Sequence, residues 1–270
     1  TLPRPGSIGP QVDPALTTVV VPFNDVPALE AALADGDIAC VLAEPALTNI
    51  GIVLPDPGFH TALRELTRRH GSLLVIDETH TICVGPGGAT SAWGLEPDFL
   101  VIGKTIGGGV PVAAYGMSAD VASRLEAKLD RDSIDVGGVG GTLSGSSLAM
   151  AVMKATLSST LLAEHFDQTI PLATAWADGV GGIIAEHGLD WSVQQLGCRA
   201  EYWFSKAPTN GAQAASMVDH ELEEYFHLSA LNRGILLTPF HNMALMCPSH
   251  VHGDVDLHTK AFSEALGLLV

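Results

Sequence analysis

Short apolar runs alternate along the first part of the chain with segments whose apolar residues recur at helical spacing. The apolar runs have the composition of strands that are buried on both faces of a parallel sheet. The helical segments begin after Asn24 or Asp25 and after Pro57, and the second ends in basic residues before Gly71. This alternation predicts an α/β fold with a mainly parallel sheet flanked by helices. The predicted strands cover residues 17–21, 38–43, 73–78, 99–104 and 112–116.

The pattern changes at about residue 165. Helical segments there alternate with short strand-like pieces, and this α+β pattern predicts a second, smaller domain. We therefore expect one domain over residues 1–164 and another over 165–270. Just before the boundary, segment 147–162 carries little charge, so we expect a buried helix. The later helices are predicted at 171–188, 219–234 and 254–266, and the strands at 191–197, 200–204 and 235–239.

The charge of the chain restricts its partners. Thirty acidic residues against thirteen Lys and Arg give a formal net charge of −17. Nucleic acids and anionic membranes both require a basic surface, so we expect neither as a partner. We find no uninterrupted apolar stretch of about 18 residues, so no membrane span is predicted. The four cysteines form no CxxC pair, and we expect buried free thiols and a cytoplasmic location.

Two of the apolar runs end on a charged residue, Asp77 in one and Lys104 in the other. In open α/β sheets, ligands bind at the carboxyl ends of the strands, so both side chains are expected in one crevice. An amine and a carboxylate in one crevice suit pyridoxal 5'-phosphate, whose aldehyde forms a Schiff base with lysine and whose ring nitrogen needs an acidic partner. Three glycines after Lys104, at 107–109, would let the backbone approach a bound group closely. The alternative for Lys104 is an ordinary solvated lysine.

The acidic pair Asp77 and Glu78 has another interpretation, which is the metal-binding pair of a nucleotide triphosphatase. That function needs a phosphate loop of the form GxxxxGK[ST]. The chain has no glycine six residues before Lys104, where the first glycine of such a loop would stand, so we reject this interpretation. The segment 141–145 is a second candidate for phosphate binding, because Thr142 lies between glycines before a helix. Its alternative is a plain helix N-cap.

Histidines near the end of the chain raise the question of a metal site. No pair of them has the spacing of an HExxH motif, and Asp254 has the position of a helix N-cap, so we predict no metal. His80 differs from them, because it follows Asp77 closely and is expected near the same crevice. The histidines and acids of the late group are His241, His250, His252, His258, Asp254 and Asp256.

Four segments, in this order and spacing, resemble the class III aminotransferases of fold type I. They read CVLAEPALTNIGIVLPDPGFHTALRELTRRHGSLL, LLVIDETHT, DFLVIGKTIGGGVPVAAYG and GTLSGSSLAMA. The most similar subgroup is that of glutamate-1-semialdehyde aminomutase and its transaminase relatives. The resemblance implies a pyridoxal-phosphate enzyme in which residues 1–164 are the C-terminal portion of the large cofactor-binding domain. The family's N-terminal segment, with part of its phosphate site, has no counterpart in this chain.

The resemblance also implies roles for single residues. Lys104 matches the Schiff-base lysine and Asp77 the acid that pairs with the pyridinium nitrogen. Thr79 stands where the family usually has a valine on one face of the ring, and Asn49 matches a residue near the phenolic oxygen. His80 is expected beside the cofactor, where it would alter the substrate fit.

Two further residues extend the expected site. Thr142 matches the threonine that reaches the phosphate of the neighbouring subunit, which implies a homodimer with shared active sites. Arg199 is our candidate for binding a substrate carboxylate through its bidentate guanidinium group, and its alternative is a surface ion pair with Glu201.

From these residues we expect an aminotransferase that moves an amino group between an amine or amino acid and a keto or aldehyde acceptor. One alternative is a 2,1-aminomutase of the glutamate-1-semialdehyde type, which moves the amino group within one substrate. The other is a partial homologue that serves as a non-catalytic binding module.

Overall fold

A computed structural model describes residues 13–128, 143–238 and 241–270 of the chain. The strands in these ranges are β1 (Cys40–Ala43), β2 (Leu73–Asp77), β3 (Phe99–Gly103), β4 (Ala113–Met117), β5 (Ser192–Leu196), β6 (Arg199–Trp203) and β7 (Met243–Leu245). The α-helices are α1 (Val26–Leu33), α2 (Phe59–His70), α3 (Gly88–Ala92), α4 (Ala119–Glu126), α5 (Ser147–Ser159), α6 (Ala163–Glu186), α7 (Gly211–Ser216), α8 (His220–Leu231) and α9 (His252–Leu269).

The first sheet has the strand order β1-β2-β3-β4. β1, β2 and β3 run parallel, and β4 returns antiparallel to β3. The apolar side chains of β2, such as Leu74 and Ile76, are buried, as its continuous apolar run predicted. The predicted α/β fold with a mainly parallel sheet is therefore confirmed. Asp77 pairs with Val101, and Lys104 directly follows β3, so both lie at the same edge of the sheet.

Helices α1 and α2 pack on this sheet through Leu33, Leu63 and Ile76. The capping predicted from the sequence is present at both helices. The Asp25 side chain accepts a hydrogen bond from the backbone N–H of Ala28 at the start of α1. Gly71 ends α2 with a left-handed backbone, behind a basic last turn that favours the helix dipole.

The second sheet is antiparallel, with the order β5-β6-β7. Helices α6, α8 and α9 share one aromatic core with it, built around Trp176, Tyr202, Phe226 and Phe262. The core explains why every residue of β6 is buried, including its polar ones. The domain boundary at residue 164 remains a prediction, although α6 begins close to it.

The two sheets are joined by a direct backbone contact. Gly197, in the turn between β5 and β6, has a left-handed backbone with φ of 58°. A Cβ atom there would lie only 2.1 Å from the carbonyl oxygen of Cys83, in the turn that follows β2. The next residue, Cys198, donates its backbone N–H to the same oxygen at 2.9 Å. The close approach therefore depends on a glycine at this position.

Three predictions about elements were wrong. Residues 17–21 form no strand, because their apolar residues are largely exposed and pair with no strand of the described chain. The segment 235–239 forms no strand in its described part, and the third strand of the second sheet is β7 instead. The helix predicted as buried, α5, buries only Thr156 and leaves apolar side chains exposed.

The thiols also differ from expectation. All four cysteines are free, but only Cys83 and Cys198 are buried, whereas Cys40 and Cys247 are exposed. Cys40 begins β1, which lies at the sheet edge with one face uncovered by described residues. No helix within the described ranges combines the length and the apolar character that a membrane crossing needs.

We expect Gly197→Ala to lower the free energy of unfolding by about 2–5 kcal/mol, since a strained left-handed backbone costs roughly 1–2 and overpacking roughly 1–3 kcal/mol. Gly188→Ala is the matched control, because Gly188 has a similar φ of 65° but open space around its Cβ position. The control should lose only the backbone contribution. Urea unfolding of both variants measures the difference, and equal losses would contradict the close backbone contact.

A buried histidine should make stability depend on pH. His258 is 5% exposed and its ring lies 5.0 Å from that of Trp176. Burial lowers the pKa of His258 from 6.5 to about 4. Between these values the unfolded chain binds a proton that the folded chain does not, so the free energy of unfolding falls as the pH drops from about 6.5 towards 4.

We expect His258→Phe to keep the aromatic packing and to remove this loss, which amounts to roughly 1.4 kcal/mol per pKa unit. Urea unfolding at several pH values between 4 and 7 measures it. His187→Gln, at the exposed end of α6, is the control for removing a histidine outside the aromatic core. If the free energy of unfolding of His258→Phe fell with pH as steeply as that of the wild type, His258 would not be the group that causes the pH dependence.

Candidate active site

Charged residues follow each of the three parallel strands at the same edge of the first sheet. Glu44 follows β1, Asp77 ends β2 and Lys104 follows β3. A cavity of about 660 Å³ opens at this edge, and residues of both sheets line it. Lys104 and His80 lie on the side of the first sheet, and Arg199 lies on the side of the second. This is the place where open α/β sheets bind ligands.

Lys104 begins a single tight helical turn with a left-handed backbone, φ of 50°. Such a conformation is uncommon for a residue with a side chain, and strain of this kind clusters at functional sites. The turn directs the amine into the cavity, where Nζ lies 2.6 Å from Nε2 of His80.

The glycines after Lys104 serve a different purpose from the predicted one. A Cβ on Gly107 would lie 2.5 Å from Val112 Cγ1, and one on Gly108 would lie 2.8 Å from the Thr156 hydroxyl. These two glycines therefore allow the turn that begins at Lys104 to pack closely against Val112, just before β4, and against α5. Among the three glycines only Gly109 has open space at its Cβ position.

Asp77 lies at the same sheet edge but is not among the residues that line the cavity. Its Oδ1 accepts a hydrogen bond from the backbone N–H of Thr79 at 2.9 Å, and Thr79 and His80 do line the cavity. The carboxylate is half-buried, on the strand next to that of Lys104. Of the two residues expected in one crevice, Lys104 lines the cavity, and Asp77 lies at the end of the neighbouring strand.

Glu78 has a structural function that the sequence did not reveal. The side chain is 1% exposed. Its carboxylate accepts hydrogen bonds from the Thr81 hydroxyl at 2.5 Å, from the Ala89 N–H at 3.2 Å and from the Thr90 N–H. Glu78 therefore fixes the loop after β2 onto the start of α3.

A series of hydrogen bonds runs from Lys104 through His80 and Thr48, which also line the cavity, to Glu44, which does not. Nε2 of His80 contacts the lysine amine, and Nδ1 of His80 lies 2.8 Å from the Thr48 hydroxyl. The Thr48 hydroxyl in turn donates to the Glu44 carboxylate. Thr48 is completely buried, so the middle of this chain is shielded from solvent.

The surroundings shift the pKa values of two groups in this hydrogen-bonded series, His80 and Glu44. Burial, together with the positive charges of Lys104 and Arg199, lowers the pKa of His80 to about 4. His80 is therefore neutral at physiological pH. Burial raises the pKa of Glu44, and the charge of Asp77 acts in the same direction. These opposite shifts follow from the rule that burial favours the neutral form of each group.

Arg199 is more enclosed than the sequence suggested. It is 5% exposed and donates to the backbone carbonyl of Thr48 at 2.7 Å and to Glu201 at 3.1 Å. The pair with Glu201 that we considered as an alternative is present, but its placement at the surface was wrong, because β6 is buried throughout. Glu201 also contacts His241 Nδ1 at 3.2 Å. The Nε atom of Arg199 is buried and has no hydrogen-bond partner among the described residues.

Two of the other predicted site residues, Asn49 and Thr79, line the cavity. Thr142 lies outside the described residues. Glu44 and Thr48 were not predicted as site residues, and His241 was considered only for a metal site. Glu44 follows a predicted strand as Asp77 does, so the same strand-end rule could have found it.

The late histidines do not gather at one place. His241 lines the cavity, His258 lies in the aromatic core, and Nδ1 of His250 accepts the backbone N–H of Cys247. Within the described ranges there is no group of three or more His, Cys, Asp or Glu side chains that could hold a metal ion. Asp254 is at the third position of α9, and the predicted N-cap position belongs to Val251.

Known sequences resemble this chain over nearly its whole length. A family model for aminotransferase class-III matches residues 17–265. Glutamate-1-semialdehyde 2,1-aminomutase of Sorangium cellulosum is 36% identical over 272 residues, which cover 98% of this chain and 60% of that protein. The protein of the same name from Desulfotalea psychrophila is 36% identical over 262 residues, 95% of this chain and 59% of that protein. The chain thus spans about 60% of the length of these curated relatives.

Solved structures agree with the sequences. A glutamate-1-semialdehyde-aminomutase from Pseudomonas aeruginosa PAO1 superposes with a TM-score of 0.94 at 47% identity, over 99% of this chain and 60% of that one. A variant of that enzyme in complex with PMP has the same TM-score at 46% identity, over the same shares of both chains. A β-phenylalanine aminotransferase from Variovorax paradoxus superposes with a TM-score of 0.82 at 27% identity, over 92% of this chain and 57% of that one.

Proposed function

The chain belongs to the class III aminotransferases, and we propose that it uses pyridoxal 5'-phosphate to move an amino group between an amine or amino acid and a keto or aldehyde acceptor. The observation that carries this proposal is the pair of Lys104 and Asp77 at the carboxyl ends of neighbouring strands, beside a cavity of about 660 Å³.

The side chains at the cavity fit the chemistry of this cofactor. An amine in the wall, a carboxylate at the end of the neighbouring strand and two small polar side chains, Thr79 and Asn49, form a suitable set of donors and acceptors. When bound, the cofactor supplies an aldehyde carbon that takes up amines and a ring that delocalises the electron pair left when a substrate carbon loses a proton. Lys104 would hold it covalently, and Asp77 would accept the ring N–H in a charge-assisted hydrogen bond of about 1.5–3 kcal/mol.

In this proposal Lys104 also acts as the general base and acid that transfers a proton. Its amine, once released, would take the proton from the substrate carbon that bears the nitrogen and would give it back on the other side of that nitrogen. A general base has to lie within hydrogen-bond reach of the atom that it serves, and the lysine turn directs Nζ into the cavity. Asp77 assists by keeping a negative charge beside the ring nitrogen.

We propose Arg199 as the residue that binds a substrate carboxylate. Its buried Nε has no partner in the described part of the chain and is a candidate donor, since Arg199 lines the cavity. A substrate carboxylate would have to compete with Glu201 for the guanidinium group, because that pair is already formed at 3.1 Å.

A second candidate function is the 2,1-aminomutase reaction. The relatives at 36% and 47% identity carry that name. A mutase keeps its intermediate inside a closed site and moves the amino group within one substrate, so it needs no external acceptor. Product analysis with and without an added keto acid separates the two functions, since only a transaminase depends on the acceptor.

We expect full-length protein mixed with pyridoxal phosphate to absorb in the visible range, and borohydride to attach the cofactor to Lys104, as peptide mapping would reveal. Lys104→Ala should abolish the visible absorbance and lower turnover by at least about 10²-fold, because it removes the acid–base group. Lys206→Ala, at an exposed lysine with a loose ion pair, is the control and should behave like wild type. Colourless protein, or label on other lysines only, would leave the non-catalytic binding module as the better explanation.

We also propose a homodimer in which Thr142 reaches the phosphate of the partner's site. Support comes from α5, which follows that segment and exposes Leu148, Met150 and Leu157, an apolar surface that suits a protein contact. Mixing inactive Lys104→Ala chains with Thr142→Ala chains should restore part of the activity, because a mixed dimer contains one intact site. Light scattering checks the mass, and a monomer or an absence of complementation would contradict shared sites.

A further inference from the structure

The hydrogen-bonded chain behind Lys104 has the composition of a proton relay. We propose that His80, Thr48 and Glu44 carry a proton between the amine of Lys104 and the carboxyl group of Glu44. Every link is within hydrogen-bond reach, at 2.6 Å from Lys104 to His80 and 2.8 Å from His80 to Thr48, and Thr48 bonds directly to Glu44. The inference rests on the proposed function, in which Lys104 gains and loses protons.

The hydrogen bonds have a defined direction when the lysine is charged. A protonated amine can only donate, so Nε2 of His80 must accept. The proton of the neutral ring then lies on Nδ1 and is donated to Thr48. The Thr48 hydroxyl has one proton, which it donates to the Glu44 carboxylate. All the bonds are satisfied, with a positive charge at one end and a negative charge at the other.

A second arrangement satisfies the same bonds in the opposite direction. Lys104 gives one proton to Nε2 of His80, Nδ1 gives its proton to the Thr48 oxygen, and the Thr48 hydroxyl proton passes to Glu44. Three N–H or O–H bonds break and three form, so that Lys104 becomes a neutral amine and Glu44 a neutral carboxylic acid. No heavy atom has to move by more than an ordinary hydrogen-bond adjustment.

The electrostatic surroundings bring the two arrangements closer in free energy. Glu44 is partly buried, and burial disfavours its charged form, which the second arrangement replaces with a neutral carboxylic acid. Burial and the charge of Asp77 raise the pKa of Glu44. The hydrogen bond from Thr48 and the charges of Arg199 and Lys104 act in the opposite direction. His80 faces Lys104, Arg199, Asp77 and His241, and the lowering of its pKa keeps the ring neutral, so that it can accept on one nitrogen while it donates from the other.

The relay would give Lys104 a place for its proton outside the cavity. The amine has to be neutral to take a proton from a substrate carbon, and water is excluded from much of a loaded site. Thr48 is completely buried, so solvent does not replace the middle link easily. The geometry thus assigns His80 and Thr48 as positioning residues of the reaction and Glu44 as the proton store.

Glu44→Gln is the decisive variant, because glutamine still accepts the Thr48 hydrogen bond but cannot take a proton. We expect its single-turnover rate of amino transfer to fall about tenfold or more, since positioned proton transfer contributes typically 10²–10⁴-fold. Thr48→Val should lose as much because it removes the middle link, and Thr48→Ser should recover the rate. Two variants are the matched controls. Glu65→Gln makes the same glutamine change at an exposed site, and Thr67→Val makes the same valine change at a threonine that is buried like Thr48 but whose hydroxyl bonds only within α2.

A second readout does not depend on activity. Nitrogen-15 NMR of the protein loaded with pyridoxamine phosphate, in which the amine of Lys104 is free, should show His80 with its proton on Nδ1 and hydrogen-bonded. Thr48→Val should lose that hydrogen-bonded signal, whereas Glu44→Gln should keep it. A slow Glu44→Gln with an intact histidine signal would support the relay, because a merely structural bond would leave the rate unchanged.

Other results would overturn the inference. Wild-type rates in both Glu44→Gln and Thr48→Val would show that Lys104 exchanges its proton elsewhere. A wild-type His80 whose proton lies on Nε2 at neutral pH and is not bonded to Thr48 would remove the geometric basis. A wild-type protein that transfers no amino group with any donor would instead overturn the proposed function, and the role of the relay with it.

Discussion

The parallel pairing of β1, β2 and β3 is the constraint on which the site depends. Parallel strands place their carboxyl ends at one edge of a sheet, so three residues that are far apart in the chain become neighbours. Glu44, Asp77 and Lys104 are those residues. Antiparallel pairing of any of these strands would have moved its charged residue to the opposite edge.

The second sheet completes the site because its first hairpin rests directly on the loop after β2. Gly197 permits that contact, and Cys198 fixes it with a backbone hydrogen bond to Cys83. Arg199, the next residue, then reaches the backbone of Thr48. The contact therefore positions one guanidinium group against the residue that links His80 to Glu44.

Buried charged groups at this junction are stabilised by hydrogen bonds. Arg199 is paired with Glu201 and with a carbonyl group, and Glu78 accepts three hydrogen bonds, from Thr81 and from the start of α3. Removing one partner of such a group would leave an uncompensated buried charge, which costs more than the pair itself contributes. This dependence makes the junction rigid, which favours a fixed geometry at the lysine.

The sequence by itself determined the parallel sheet, the helix caps at Asp25 and Gly71, and the strand-end positions of Asp77 and Lys104. These features follow from short-range patterns of apolar residues and caps, which act within a few residues of the chain. Only the tertiary structure decided that Arg199 is buried, that Glu78 fixes a loop and that His80 connects Lys104 to Thr48 and Glu44. It also decided that residues 17–21 form no strand and that α5 is exposed. Pairing and burial depend on partners distant in the chain, and no local pattern records which partner a strand, a helix face or a charged side chain will meet.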